Sequence, residues 1–172
     1  NVQHLKVGDT VVGFVPFGGF AEKAIVKAKD CFPKPKGMSM VHASAFLLAY
    51  GTSYHALKDR ANLQKGETIL ILGASGGVGL TALELAKLMG AKVIAAASTN
   101  EKLELCKQFG ADEVINYTTE SLKDRVKEIT NGKGVDVIYD PVGGHFSELA
   151  LRAIAWKGRH LVIGFANGEI PK

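Results

Sequence analysis

The residues best equipped for chemistry lie in one turn. Ile69-Leu70-Ile71-Leu72 leads into Gly73-Ala74-Ser75-Gly76-Gly77-Val78-Gly79, and Leu80-Thr81-Ala82-Leu83-Glu84-Leu85-Ala86 follows. The run of branched apolar residues predicts a strand buried on both faces, and the apolar spacing after the turn predicts a helix. Strand, glycine turn and helix in that order are the setting of a dinucleotide-binding turn. Glycine lets the backbone approach a pyrophosphate and lets the helix pack close to the strand. A helix starting near Gly77 would offer its free N–H groups and positive dipole end to the phosphates. Here Ala74 takes the place of the first glycine, giving Ala74-x-Gly76-x-x-Gly79. Such a turn also joins strands to helices without any ligand, and the motif alone leaves both readings open.

The next informative stretch ends the following strand. A dinucleotide fold that prefers NAD places Asp or Glu about 20 residues past the glycines, on the ribose 2′-hydroxyl. This chain has Ala97-Ser98-Thr99-Asn100 there, with Lys102 just beyond. A carboxylate would repel a 2′-phosphate, whereas a hydroxyl and a lysine attract it. The expected cofactor is therefore NADP(H). Taken singly, Lys102 reads equally well as a solvated surface lysine.

Other chemistry is sparse. His4, His42, His55, His145 and His160 have neither H-E-x-x-H spacing nor a C-x-x-C partner, so no metal site is expected. No Ser/His/Asp set and no close carboxylate pair falls in a plausible turn, so no catalytic residue is assigned. Hydride transfer needs neither, because the cofactor supplies the chemistry and the protein supplies position.

The elements around these turns follow from the rest of the 172 residues. Hydrophobic residues make up 47%, enough for a real core, and the net charge of +4 is spread without a basic run. Anionic small ligands fit that balance, and nucleic acid is not suggested. Cys31 and Cys106 stand alone, which points to a reducing compartment. No signal segment opens the chain and no apolar run could span a membrane, so a cytoplasmic location is expected. The chain begins at Asn1 in strand material and ends at Lys172 just past a strand. This reads as an internal fragment of a longer protein.

Residues 1–37 are β-like and turn-rich. Thr10–Val15 and Phe20–Val26 are expected to pair across Pro16-Phe17-Gly18-Gly19. Met40–Tyr50 reads as a buried helix interrupted by Gly51, with a second helix from Thr52 to about Ala61. Strands are then predicted over Thr68–Gly73, Lys92–Ala97, Asp112–Asn116, Val135–Tyr139 and Gly158–Phe165. Helices are predicted over Gly77–Met89, from a capping box at Ser98-Thr99-Asn100-Glu101 to about Phe109, over Glu120–Thr130, and from Gly144 to about Trp156. This alternation means an α/β fold with a parallel, doubly wound sheet. Ligands of such sheets lie at the carboxyl ends of the strands, here after Leu72, Ala97, Tyr139 and Ile163.

With these residues in place, the sequence resembles the medium-chain dehydrogenase/reductases, and within them the zinc-independent NADPH:quinone oxidoreductase (zeta-crystallin-like) branch. The resemblance runs through Lys6-Val7-Gly8-Asp9, Gly18-Gly19-Phe20-Ala21-Glu22, Tyr50-Gly51-Thr52-Ser53-Tyr54-His55-Ala56-Leu57 and the glycine turn. It continues in Gly110-Ala111-Asp112-Glu113-Val114-Ile115-Asn116-Tyr117, Gly134-Val135-Asp136-Val137, Tyr139-Asp140-Pro141-Val142-Gly143-Gly144 and Gly164-Phe165-Ala166. It implies a Rossmann-type domain over residues 38–172 without its last strand, preceded over 1–37 by a remnant of a GroES-like domain. Ser75, Gly76, Gly77 and Val78, with Gly79 closing the turn, would face the pyrophosphate. Ser98, Lys102 and Tyr117 match positions that hold the 2′-phosphate. Thr52, Val142 and Phe165 fall where the family lines the nicotinamide pocket. Leu48 stands where zinc-binding relatives carry a cysteine ligand. The full-length protein is then expected to be a homodimer that passes hydride from NADPH to a quinone or conjugated carbonyl. The alternatives are an enoyl or alkenal reductase of the same superfamily, or a non-catalytic NADPH-binding protein of the crystallin or RNA-binding kind.

Overall fold

The computed structural model describes residues 2–171; the terminal Asn1 and Lys172 lie outside the described residues. The chain forms two compact units, Asn1–Gly51 and Thr52–Lys172.

In the first unit, β1 (Val11–Gly13) pairs antiparallel with β2 (Cys31–Pro33), Val12 opposite Phe32. The expected partner, Phe20–Val26, forms no strand. Both segments suit a pleated surface, so propensity does not choose between them. The backbone of the loop decides. A 3-10 turn at Ala28–Asp30 delivers Asp30, whose carbonyl accepts the Phe14 N–H (3.1 Å), and the Lys34 N–H closes on the Thr10 carbonyl (3.0 Å).

Helix α1 (Met40–Tyr54) passes through Gly51 without a break and continues as a π-helical turn over His55–Arg60. A glycine inside a helix costs only about 1 kcal/mol relative to alanine. Beyond Gly51 the residues belong to the second unit, where Ser53, Ala56 and Leu57 are buried.

That unit is one parallel sheet of β3 (Thr68–Leu72), β4 (Lys92–Ala97), β5 (Glu113–Asn116), β6 (Val135–Asp140) and β7 (Ile154–Val162), in the order β5-β4-β3-β6-β7. Four helices connect the strands: α2 (Gly77–Leu88), α3 (Asn100–Gln108), α4 (Leu122–Ile129) and α5 (Gly144–Leu151). Residues alternate between the two faces of β3. Ile69 and Ile71 pack with Leu57, Leu83, Val93 and Tyr139, while Leu70 and Leu72 pack with Ile94, Ile115, Val126 and Ile138. Burial on both faces explains why these strands read as continuous apolar runs. The chain moves outward from β3 to β5 and then returns to place β6 on β3's other side, so the order reverses beside β3. Ligands of open parallel sheets bind at that point.

Two boundaries in this unit depart furthest from expectation. Helix α5 ends at Leu151 rather than near Trp156, and β7 starts at Ile154 rather than Gly158. The apolar spacing of Ala150 to Trp156 imitates a helix, yet the Val135 N–H takes the Ala153 carbonyl (3.0 Å) and draws the segment into the sheet. The register then slips: Ile154 pairs with Val135, but Arg159 pairs with Val137. The extra residues bulge outward at Lys157 (φ 62°) and leave Trp156 92% exposed.

Candidate cofactor cleft

The glycine turn is built as its residue types demand. Leu72 ends β3, and the N–H of the fully buried Ala74 reaches across to the Ala96 carbonyl of β4 (3.1 Å). The Gly76 N–H returns to the Gly73 carbonyl (3.0 Å). Gly76 is the N-cap of α2 and supplies no side-chain acceptor, and the first intrahelical bond runs from the Leu80 N–H to the Gly76 carbonyl (2.8 Å). The amides of Gly77, Val78 and Gly79 therefore stand ahead of the ladder. Gly79 is where helix presses on strand: a Cβ there would collide with the Gly73 carbonyl oxygen and come within 2.8 Å of Ala74 Cα. Gly77 is the opposite case, since a Cβ there would meet nothing within 4 Å. One glycine serves packing and the other leaves open space beside the first turn of the helix, as the approach of a pyrophosphate would require.

A buried hydroxyl cluster locks this turn. Ser53 Oγ donates to the Val78 carbonyl (3.0 Å) or shares its proton with Thr81 Oγ1 (2.9 Å) and Tyr139 Oη (2.8 Å). The end of α1, the start of α2 and strand β6 are thereby tied at one point. Burial pushes the Tyr139 phenol above its usual range, against the pull of Ser53.

In front of the turn lies a cleft of about 410 Å³ lined from the carboxyl ends of all five strands: Gly73, Ser75 and Gly76 after β3, Ala97, Ser98 and Lys102 after β4, Tyr117 and Thr118 after β5, Val142 and Phe146 after β6, and Ala166 and Asn167 after β7. The N-cap expected at Ser98 lies one residue further on. Thr99 is the N-cap of α3, accepting the Lys102 N–H on its side chain. That shift frees the Ser98 hydroxyl, which accepts the Lys102 ammonium (3.0 Å) and faces Tyr117. Burial raises the Tyr117 phenol above its usual range, opposed by Ser98. The Tyr117 ring rests on Phe146 with centroids 4.5 Å apart. Thr118 Oγ1 is within bonding distance of the Ser98 carbonyl (3.1 Å) and Asn116 Oδ1 (2.7 Å). Among the described residues no Asp or Glu lines the cleft.

Of the residues singled out in the sequence, Ser75, Gly76, Ser98, Lys102, Tyr117 and Val142 meet at this cleft. Gly77, Val78 and Gly79 form the first turn of α2 behind it. Thr52 lines a different cleft, with His55, Arg60, Arg159 and His160. Phe165 is 43% exposed, and its ring lies against the backbone of Gly143. Sequence reasoning missed Thr118 and Phe146, and it quoted Asp140 without giving it a role. A signal for Asp140 was present, because it is an acid that directly follows the buried run Val137-Ile138-Tyr139 at the carboxyl end of its strand. Among the described residues no three His, Cys, Asp or Glu side chains gather as a metal site, and no helix is long and apolar enough to cross a membrane.

With the geometry in view, similarity to known proteins settles the family. The zinc-binding dehydrogenase family model matches residues 77–172, more than half of the chain. The chain belongs to this family, in the quinone oxidoreductase branch of the medium-chain dehydrogenase/reductases. A quinone oxidoreductase-like protein 2 homolog of Nematostella vectensis is 43% identical over 174 residues, covering 100% of this chain and 47% of its own length. The quinone oxidoreductase of Thermus thermophilus, whose structures include a complex with NADPH, superposes with a TM-score of 0.85 at 36% identity, over 97% of this chain and 54% of that one. The enoyl reductase CurK superposes at 0.87 and 31% identity, over 92% and 48%. The chain thus spans about half the length of the relatives it matches. The doubly wound sheet agrees with the architecture of these enzymes.

Proposed function

We propose that the cleft holds the adenosine and pyrophosphate portions of NADP(H), in a longer protein that is an NADPH-dependent reductase. The observation that carries the reading is the pairing of Lys102 and Ser98 at the carboxyl end of β4, in a cleft without a carboxylate. The Gly76–Gly79 backbone meets the pyrophosphate and Ser75 adds a hydroxyl beside it. Lys102, Ser98 and Tyr117 surround the 2′-phosphate, with Lys102 supplying the charge. Val142 continues the wall toward the nicotinamide, with Phe165 beyond it against Gly143, while Thr52 lines the separate cleft beside His160 and stands outside this wall. When bound, the nicotinamide supplies the hydride. The protein's own residues orient it and exclude water, which supplies the proximity that makes the transfer fast. The acceptor is an electron-poor conjugated system, a quinone or an enone, seated largely by parts of the longer protein. Similarity to an NADPH-binding quinone oxidoreductase and to an enoyl reductase supports both acceptors equally.

The test is a titration of this chain with NADPH and NADH, followed by nicotinamide fluorescence, on the parent and on Lys102→Ala. The parent should bind NADPH at least about tenfold more tightly than NADH, the worth of one charge-assisted contact. Lys102→Ala should lose that margin and leave NADH unchanged. Equal or tighter binding of NADH by the parent overturns the NADP(H) assignment.

A further inference from the structure

Asp140 ends β6 and is only 1% exposed, yet it does not line the cleft. Both loops that close the cleft on this side hang from it. Its Oδ1 accepts the N–H groups of Val142 (2.9 Å) and Gly143 (2.9 Å). Its Oδ2 takes the hydroxyl of Ser147 from α5 and faces His160 Nε2 of β7 at 3.1 Å. Its backbone carbonyl accepts the N–H groups of Ile163 (2.8 Å) and Gly164 (3.3 Å). The two loops are then joined directly, Ala166 N–H to the Pro141 carbonyl (3.0 Å) and Asn167 N–H to the Val142 carbonyl (2.8 Å).

The turn after Asp140 needs such an anchor. Gly143 and Gly144 both hold positive φ (78° and 57°), and a Cβ on Gly143 would meet the Glu169 carbonyl oxygen and the Phe165 ring at 2.9 Å. Glycine reaches such backbone without steric cost but is equally free to leave it, so the turn depends on surrounding bonds to hold one conformation. Burial alone opposes ionisation of Asp140, but His160, Ser147 and the Gly143 and Val142 amides outweigh it and hold the carboxyl below its usual range. It is an anion spent wholly inside the protein, aimed at loops whose far sides carry Val142, Ala166 and Asn167 into the cleft.

We propose that Asp140 is the positioning residue for this wall of the cleft, setting Val142 through its side chain and the Gly164–Asn167 loop through the carbonyls of residues 140–142. The inference rests on the cleft being a cofactor site, and its test separates the two. Amide hydrogen exchange on the ligand-free chain reads the positioning directly. Asp140→Ala should raise exchange at least about tenfold in residues 142–147 and 163–167 while β3 and β4 keep their protection, as a local opening does. Asp140→Asn should restore protection, because its Oδ1 still accepts both amides and its Nδ2 can donate to Ser147 and His160. Where the parent binds NADPH, Asp140→Ala should weaken binding about tenfold through lost preorganisation, with Asp140→Asn near the parent. Unchanged exchange in both loops, equal loss of protection in β3 and β4, or no rescue by Asn overturns the assignment. So does unaltered NADPH affinity in Asp140→Ala. Absence of NADPH binding by the parent instead overturns the cofactor reading and leaves the exchange result to judge Asp140.

Discussion

The two ends of the central sheet treat their polar groups in opposite ways. At the amino ends, three acids each meet a backbone N–H of the protein as well as a cation. Asp136 accepts the Thr68 N–H (2.8 Å) beside Lys133, and Asp112 accepts the Val93 N–H (2.7 Å) beside Lys87 (2.7 Å). Glu67 accepts the Gln64 N–H (2.9 Å) and both arms of Arg159 (2.7 Å each), while that guanidinium also donates to the Ala61 carbonyl (2.8 Å). At the carboxyl ends the amides of Gly77, Val78 and Gly79 precede their helix ladder, and Lys102 rests on a neutral hydroxyl. One end is satisfied internally, whereas the other keeps donors in reserve. Stability and binding are thereby assigned to opposite edges of one sheet, and substitutions should separate them.

The largest effect is expected at the glycine turn, where the separation itself can be broken. Gly79→Ala drives a Cβ into the Gly73 carbonyl, a backbone atom that moves only with β3. Unfolding in urea should show a loss of about 3 kcal/mol, the upper part of the usual range for overpacking, and cofactor binding should fall with it. Gly77→Ala sharpens the contrast. Its Cβ has open space, so stability should stay within about 0.5 kcal/mol of the parent while NADPH affinity drops at least about tenfold. Equal destabilisation by the two substitutions would mean that the first turn of α2 is packed throughout and offers no phosphate site.

The next effect lies at the other edge. Glu67→Ala removes the carboxylate from the Arg159 guanidinium, which keeps the Ala61 carbonyl, and from the Gln64 N–H. Removing a partly buried, bidentate partner should cost about 2 kcal/mol in urea unfolding. NADPH affinity should remain within about twofold of the parent, because none of these groups lines the cleft. A parallel loss of affinity would show the two edges to be coupled.

The contrast also explains what the sequence could and could not tell. The sheet was legible because strands covered on both faces must be apolar throughout, as Ile69–Leu72 and Val93–Ala97 are. The glycine turn was legible because only glycine fits against the Gly73 carbonyl. The cation at the end of β4 was legible as a missing acid. What escaped depends on contacts distant in sequence. Gly51 looked like a break, but buried Ser53 and Leu57 hold the helix on its far side. Phe20–Val26 and Cys31–Pro33 look alike as strand material, and only the 3-10 turn before Cys31 selects the second. Ser98 and Thr99 both suit an N-cap, and the helix takes Thr99, which turns Ser98 toward Lys102. The role of Asp140 depends on Ser147 and His160, which lie in two other elements.

The smallest effect, and the one that resolves the amino edge most finely, is the acid dependence of stability. The hydrogen bond from Arg159 first, helped by the Gln64 amide and opposed by burial, holds the Glu67 carboxyl below its usual range. At Asp112 burial is the largest influence and acts upward, yet Lys87 and the Val93 amide together bring that carboxyl below its usual range as well. A carboxyl lowered by folding binds fewer protons in the native chain than in the unfolded one, so stability rises with pH across the interval between its two pKa values. The contribution is complete above the unfolded value, near 4 for these acids, and is lost as pH falls through the lowered native value. Urea midpoints should therefore decline in acid below about pH 4. In Glu67→Ala that decline should be shallower, because one of the native carboxylates no longer takes up a proton there. Asp140, lowered in the same sense at the opposite edge, keeps part of the decline in place. An acid limb of unchanged slope in Glu67→Ala would show that the Arg159 pair adds no stability to the amino edge.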